Sequence, residues 1–153
     1  MITETTGDIW DLAYNDYWRV IPTNGSVNRS GRAVMGRGVA LQAAQKFPDL
    51  AIDLASSLQR EGLHVKLYVD RGLILFPVKF AWHQKASLTL IGRSCQELVD
   101  LLLSPGVKVV MPRVGCGNGK LEWPQVKPIL SHYLGNLPNS IVVLEYEERL
   151  FGN

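Results

Sequence analysis

Residues 110–124, VMPRVGCGNGKLEWP, run from an apolar segment through three glycines in five residues to the start of a helical segment. Glycine loses more conformational freedom on folding than any other residue, so three together need a reason. One reason is a slack turn. The other is a backbone that must come close to a ligand. Between a strand and a helix N-terminus that ligand is an anion, because free N–H groups point outward and the helix dipole favours negative charge. The spacing is not that of a P-loop, since Leu121 follows Lys120, and GxGxxG is not matched either.

Working outward, Val107–Met111 (VKVVM) reads as a strand, and Trp123–Leu134 reads as a helix with Glu122 and Pro124 suited to its start. The same alternation fills the rest of the chain. Trp18–Pro22, Val65–Val69, Leu73–Phe76 and Ser140–Tyr146 are strand candidates. Gly36–Lys46, a segment from Pro48-Asp49 to about Arg60, and Ser87–Leu103 are helical. In the last of these Leu88, Ile91, Cys95, Leu98 and Leu102 recur at helical spacing, and Asp70-Arg71-Gly72 reads as a turn. Near-continuous apolar strands alternating with helices predict an α/β sandwich around a mostly parallel sheet.

Three strands share an ending of two apolar residues, proline and a polar or glycine-rich loop: VIPTN, LFPVK and VMPRVGCG. Proline cannot donate to the ladder, so each ladder is expected to stop there. In a parallel sheet the three loops emerge on the carboxyl edge, where open α/β sheets hold their ligands. Asn24, Lys79 and the Gly115–Gly119 loop are therefore expected to meet in one cleft.

The bulk numbers narrow the function. A chain of 153 residues without internal repeat, low-complexity tract or linker predicts one domain over residues 1–153. Net charge is +2 with acids and bases interspersed, which gives no polybasic footprint for duplex nucleic acid. MITETTGDIW lacks the basic and apolar regions of a signal peptide, and no run approaches the roughly 18 apolar residues of a membrane span. A cytosolic protein with reduced Cys95 and Cys116 and no membrane partner is expected. No His, Cys and acid cluster has zinc-ligand spacing, so neither metal nor cofactor is expected.

A second glycine pair, Gly36 and Gly38 in GRAVMGRGVA, opens a helix that it weakens. Two such helix openings suit a diphosphate gripped from both sides. Lys79 follows a strand-ending proline, and in an apolar cleft beside Phe80 and Trp82 its amine would be partly neutral and nucleophilic. His83 is a proton-donor candidate in the same loop, and Cys116 would have a lowered pKa at a helix N-terminus. Asp8 is read either as N-cap of a helix IWDLAYN or as a recognition group. Tyr146 either stacks on a planar ring or closes the sheet.

Four segments resemble, in order, those of the macrodomain family: GDI (7–9), IPTNGSVNRSGRAVMGRGVALQAAQKFP (21–48), LFPVKFAWH (75–83) and MPRVGCGNGKLEW (111–123). The resemblance spans essentially the whole chain and is greatest to the DNA ADP-ribosyl glycohydrolases and the ADP-ribose 1″-phosphatases. It implies a three-layer α/β/α sandwich with a mixed, mostly parallel central sheet that binds ADP-ribose. On this resemblance Asp8 accepts the adenine amino group and Ile9 donates a backbone N–H. Asn24 or Asn28 holds the distal ribose, and Tyr146 meets the ligand. Met35, Gly36, Arg37, Gly38 and Val39 form one phosphate loop, and Val114, Gly115, Cys116, Gly117, Asn118 and Gly119 the other. Lys79 matches the lysine that some of these hydrolases use at the anomeric carbon.

The chain departs from the pattern in two places. The segment between Asn24 and Met35 is longer than in the antitoxin members, and Asn118-Gly119 stands where some lysine-dependent relatives carry an acid. Three readings therefore stay open. The first is hydrolysis of ADP-ribose from a modified DNA base or protein side chain, using Lys79. The second is an ADP-ribose 1″-phosphate phosphatase using Asn24, Asn28 and His83. The third is a non-catalytic reader. The expected partner is ADP-ribose or an ADP-ribosylated macromolecule, DNA among them, and the expected state is a monomer.

Overall fold

The computed structural model describes residues 1–102 and 104–146. Within them the strands are β1 (Ile2–Thr6), β2 (Trp18–Asn24), β3 (Lys66–Tyr68), β4 (Leu73–Lys79), β5 (Val109–Pro112) and β6 (Ile141–Glu145). The helices are α1 (Gly38–Lys46), α2 (Leu50–Glu61), α3 (Leu88–Leu101) and α4 (Trp123–Leu134). The sheet order is β1-β6-β5-β2-β4-β3. Every neighbouring pair is parallel except β3, which runs antiparallel to β4. This is the mixed, mostly parallel sheet expected from the sequence.

Side chains that alternate along the strands build two cores, one on each face. Ile21, Leu73, Leu75, Val110, Val142 and Leu144 pack with Val39, Ala43, Leu50 and Leu54 of α1 and α2. Their neighbours Val20, Ile74, Phe76, Val109, Met111, Ile141 and Val143 pack with α3 and α4 through Ile91, Cys95, Leu98, Val126, Leu130 and Leu134. The period of two puts both faces of the inner strands in apolar surroundings, which is why those strands read as continuous apolar runs.

Pro112 ends β5 as expected, but Pro22 and Pro77 do not end their strands. β2 continues two residues past Pro22 and β4 two past Pro77. The direction of the missing donor explains this. The Trp18 N–H points to Lys108 on the β5 side, and the Arg19 N–H to Gly72 on the β4 side. By alternation, position 22 would aim its donor across the β2–β5 seam, where pairing covers only Trp18↔Val109 and Arg19↔Val110. Val109 donates to Ser140 on the β6 side, so position 112 would aim its donor into the same seam from the other strand. The prolines thus part β2 from β5 while the β2–β4 ladder runs on to Asn24↔Lys79 across a bulge. The gap is where the cleft opens.

Three other expectations are corrected. β1 was not anticipated, because ITETT is largely exposed and shows no apolar alternation; it pairs in register with β6 from Ile2↔Ile141 to Thr6↔Glu145. IWDLAYN forms only a 3-10 turn over Leu12–Tyr14, capped by Asp11, whose Oδ1 accepts the Ala13 N–H at 2.8 Å. Asp8 therefore caps no helix; its Oδ1 accepts the Trp10 N–H at 2.9 Å. α3 starts at Leu88 behind Ser87, whose Oγ accepts the Leu90 N–H, and ends at Leu101; Leu103, the expected end, lies outside the described residues.

Candidate functional site

Two depressions adjoin at the carboxyl edge of the sheet. The first, about 470 Å³, is bounded by the ends of β2 and β5, residues 35–40, residues 115–119 and the exit of β6. Asn24, Lys79 and Gly117 all line it, so the three post-proline segments do converge. The second, about 520 Å³, shares Asn24, Gly36, Arg37, Lys79 and Asn118 with the first and extends to Trp82, His83, Lys85 and Lys120.

The glycines of residues 115–119 divide by physical cause. A Cβ on Gly115, which sits at φ +77°, would come within 2.9 Å of Ile91 Cδ1. One on Gly119 would come within 2.5 Å of Gly115 O and 2.8 Å of Ala86 Cβ. These two are glycine for packing. A Cβ on Gly117 would meet nothing within 4 Å. The loop is closed by hydrogen bonds from Leu121 N to Gly115 O (2.9 Å), Lys120 N to Gly117 O (3.1 Å) and Ala86 N to Gly119 O (3.0 Å). Among the described residues the N–H groups of Gly117, Asn118 and Gly119 donate no hydrogen bond, and they belong to the cleft wall.

The anion-receptive helix terminus differs from the one expected. At α4 the Glu122 N–H is taken by Gln125 Oε1 at 3.0 Å, and Pro124 in the first turn has no N–H to offer. At α1, Arg37 takes the N-cap position in extended backbone without a side-chain hydrogen bond, so the first-turn donors face the cleft unpaired by any cap. Gly36 and Gly38 supply φ +57° and +62°, and Gly36 faces Asn118 Nδ2 across the cleft at 3.7 Å from its Cβ position. The two glycine loops oppose one another.

Lys79 is only 6% exposed, with Nζ 3.3 Å from Trp82 O and 3.4 Å from Asn118 O. Burial, and secondarily the nearby Lys120 charge, lower its pKa. Phe80 and Trp82, the rings expected to make the cleft apolar, are themselves 53% and 58% exposed. Among the described residues no carboxylate pairs with Lys79. His83 is exposed and lines only the second depression.

The two asparagines separate. Asn24 is buried at the shared wall, and its amide staples the following loop: Nδ2 donates to Val34 O and Oδ1 accepts from Ser26 N, both at 2.9 Å. Asn28 is exposed, lines neither depression, and spends Oδ1 on Ser30 and Arg32 of its own turn. Met35, Gly36, Arg37, Gly38, Val39 and Tyr146 line the first depression; Asp8, Ile9 and Val114 do not. The Ile9 and Val114 side chains are wholly buried in the two cores. Asp8 is a neighbour of Tyr146, whose phenol is pushed up first by burial and then by the Asp8 charge. Cys116 is no activated thiol: burial pushes it up to about 11, against a smaller opposing pull from Arg113.

Sequence reasoning missed Arg113 and Trp123, which line the first depression with the guanidinium 5.1 Å from the ring centroid. Arg113 lies 3.4 Å from Glu145, and the Trp123 Nε1–H donates to Glu4 Oε1 at 2.9 Å. Only β1, the unanticipated strand, brings Glu4 there. Among the described residues no group of three or more His, Cys, Asp and Glu could hold a metal ion, and no helix is long and apolar enough to cross a membrane.

An α/β/α sandwich with two donor-rich loops facing across its carboxyl-edge cleft is the class that these features define. No protein-family model matches the sequence. Individual proteins do. The chain is 31% identical over 132 residues to a DNA ADP-ribosyl glycohydrolase of Thermus aquaticus, covering 80% of this chain and 36% of that protein. The solved macrodomain of Mycobacterium tuberculosis DarG superposes with a TM-score of 0.76 at 27% identity, over 97% of this chain and 98% of that one. Thermosipho africanus DarTG in complex with ADP-ribose superposes at 0.71 with 23% identity, over 97% and 43%. The chain belongs to the macrodomain family. It spans about a third of the length of the curated relative (36%).

Proposed function

We propose that this chain binds ADP-ribose in the first depression and hydrolyses it from a modified DNA base. The observation that carries the proposal is Lys79: a buried amine at the wall common to both depressions, next to facing loops rich in unspent N–H groups. The first-turn donors of α1 and the N–H groups of Gly117, Asn118 and Gly119 hold the diphosphate from opposite sides. Tyr146 receives the adenine end, with Asp8 behind it outside the depression lining, and Asn24 the distal ribose. The anomeric carbon then meets Lys79, and the group to be released extends into the second depression. The similarity to a DNA ADP-ribosyl glycohydrolase and to the DarG macrodomain supports the same reading.

In the reaction the bond from the anomeric carbon to the base breaks and the Lys79 amine bonds to that carbon. The departing base takes the proton that the amine gives up; water then displaces the amine, its hydroxyl going to the anomeric carbon and its remaining proton back to Lys79. Positioning and charge stabilisation by the two loops supply the rest of the rate. The test is release of ADP-ribose from a modified single-stranded oligonucleotide by wild type and Lys79→Ala. At least a 100-fold loss is expected in the variant, and undiminished turnover would remove lysine from the mechanism. Because burial lowers the Lys79 pKa, the free amine accumulates below the ordinary lysine titration near about 10.4, so kcat/KM rises with pH and levels off below that point. The lack of a carboxylate beside Lys79 favours a second reading, a reader; tight ADP-ribose binding with no turnover of any conjugate would install it.

A further inference from the structure

Beyond Lys79 the second depression is built unlike the first. Its wall includes Arg37, Lys79, Lys85 and Lys120 and no carboxylate. Among the described residues none of these cations is ion-paired, whereas Arg113 in the first depression lies within reach of Glu4 and Glu145. The same wall carries Trp82, 58% exposed, with its backbone fixed on both sides. The Trp82 N–H donates to Ser26 Oγ at 3.0 Å, and its carbonyl lies 3.3 Å from Lys79 Nζ. The loop is also clamped to the exit of β2, since the Gly25 N–H donates to Phe80 O and a Cβ at Gly25 would come within 2.6 Å of that oxygen. His83 meets the indole in a T-shaped contact, at 5.5 Å and 74°. A rigid backbone holding a large aromatic ring in solvent is an unusual use of tryptophan, which ordinarily buries most of its surface.

We propose that this depression seats the nucleic-acid strand that carries the ADP-ribose, with Trp82 as a stacking platform for a base and Lys85 and Lys120 facing the flanking phosphates. The proposal rests on the glycohydrolase reading above and adds the residues that select a strand. Unneutralised cations beside a planar ring match an alternation of phosphates and bases, the pairing by which proteins hold single strands. A modified protein side chain offers no such repeat of charge and ring.

The test uses an ADP-ribosylated single-stranded oligonucleotide, an ADP-ribosylated peptide and free ADP-ribose as ligands, with affinities measured in a Lys79→Ala background that prevents turnover. Trp82→Ala is expected to weaken the oligonucleotide roughly 5- to 100-fold, Trp82→Phe to retain most of the affinity, and free ADP-ribose to bind both unchanged. Lys85→Ala is expected to reduce the slope of log affinity against log salt by about 0.7 for the oligonucleotide. Equal losses for oligonucleotide and free ADP-ribose would mean that Trp82 only supports the cleft, and would overturn the proposal. So would no loss, or a loss confined to the peptide. Absence of turnover by wild type would reject the hydrolase reading and leave the affinity comparison to judge the strand site by itself.

Discussion

Gly117 and Gly119 stand two residues apart, yet a methyl group on each has a different physical fate. On Gly119 it would collide with the backbone oxygen of Gly115 at 2.5 Å, and backbone cannot step aside as a flexible side chain can. Gly119→Ala is expected to lower stability by about 1–3 kcal/mol, read from urea unfolding. On Gly117 the methyl enters open space at the wall of the first depression. Gly117→Ala is expected to leave stability within about 0.5 kcal/mol and to weaken ADP-ribose binding at least tenfold by calorimetry, because the methyl stands where the diphosphate approaches the backbone. An unchanged affinity in that variant would separate this loop from the ligand. Of the three glycines in five residues, two are packed too tightly for a side chain and the third stands in open space at the cleft wall.

At the scale of elements, each helix must be held at the angle that leaves the carboxyl edge open. α3 is tied to the approach to β3 through Glu97, whose Oε1 accepts the Val65 N–H at 2.9 Å while Oε2 lies 2.7 Å from His64 Nδ1. Burial by itself would raise this carboxyl, but the Val65 N–H and His64 outweigh it and hold the group below the usual carboxylate range. A carboxyl depressed in the folded state adds stability above its unfolded pKa of about 4.3 and loses that contribution as pH falls through the folded value. Glu97→Gln is therefore expected to cost about 1 kcal/mol near neutral pH, discounted for partial solvent screening. The gap between wild type and variant should close in acid, as followed by denaturant unfolding at a series of pH values. A gap independent of pH would show that geometry, not charge, makes the tie. The prolines act at this scale too. Pro22 and Pro112 remove donors from both sides of one seam, which separates the two strands there; β2 runs on past its proline while β5 ends at its own.

For the whole molecule, two loops from opposite sides of the sheet switch close on one ligand, so occupancy should brace the entire fold. ADP-ribose at 100 times its Kd is expected to add about 2.7 kcal/mol, a rise in Tm of roughly 5–10 °C for a chain of this size. Thermal unfolding with and without millimolar ADP-ribose checks this, and an unmoved transition would remove ADP-ribose as ligand. The layered fold was legible before any coordinates, because both faces of β2, β4, β5 and β6 are buried and a strand buried on both faces must be apolar throughout. The glycine pairs and Lys79 were legible as well, since each is the wrong residue for its local element unless something approaches it. β1 was not, because an edge strand with exposed side chains carries no apolar signal. The sequence by itself thus determined, through apolar strands alternating with helical spacing, an α/β sandwich around a mostly parallel sheet and the three segments that could meet a ligand; the three-layer form came from the family resemblance. Only the tertiary structure decided which of Asn24 and Asn28 reaches the cleft, which helix N-terminus is left uncapped, and that cations gather around an exposed tryptophan beyond Lys79. Those outcomes depend on contacts between residues far apart in the chain, and no local pattern encodes the direction in which a loop folds back.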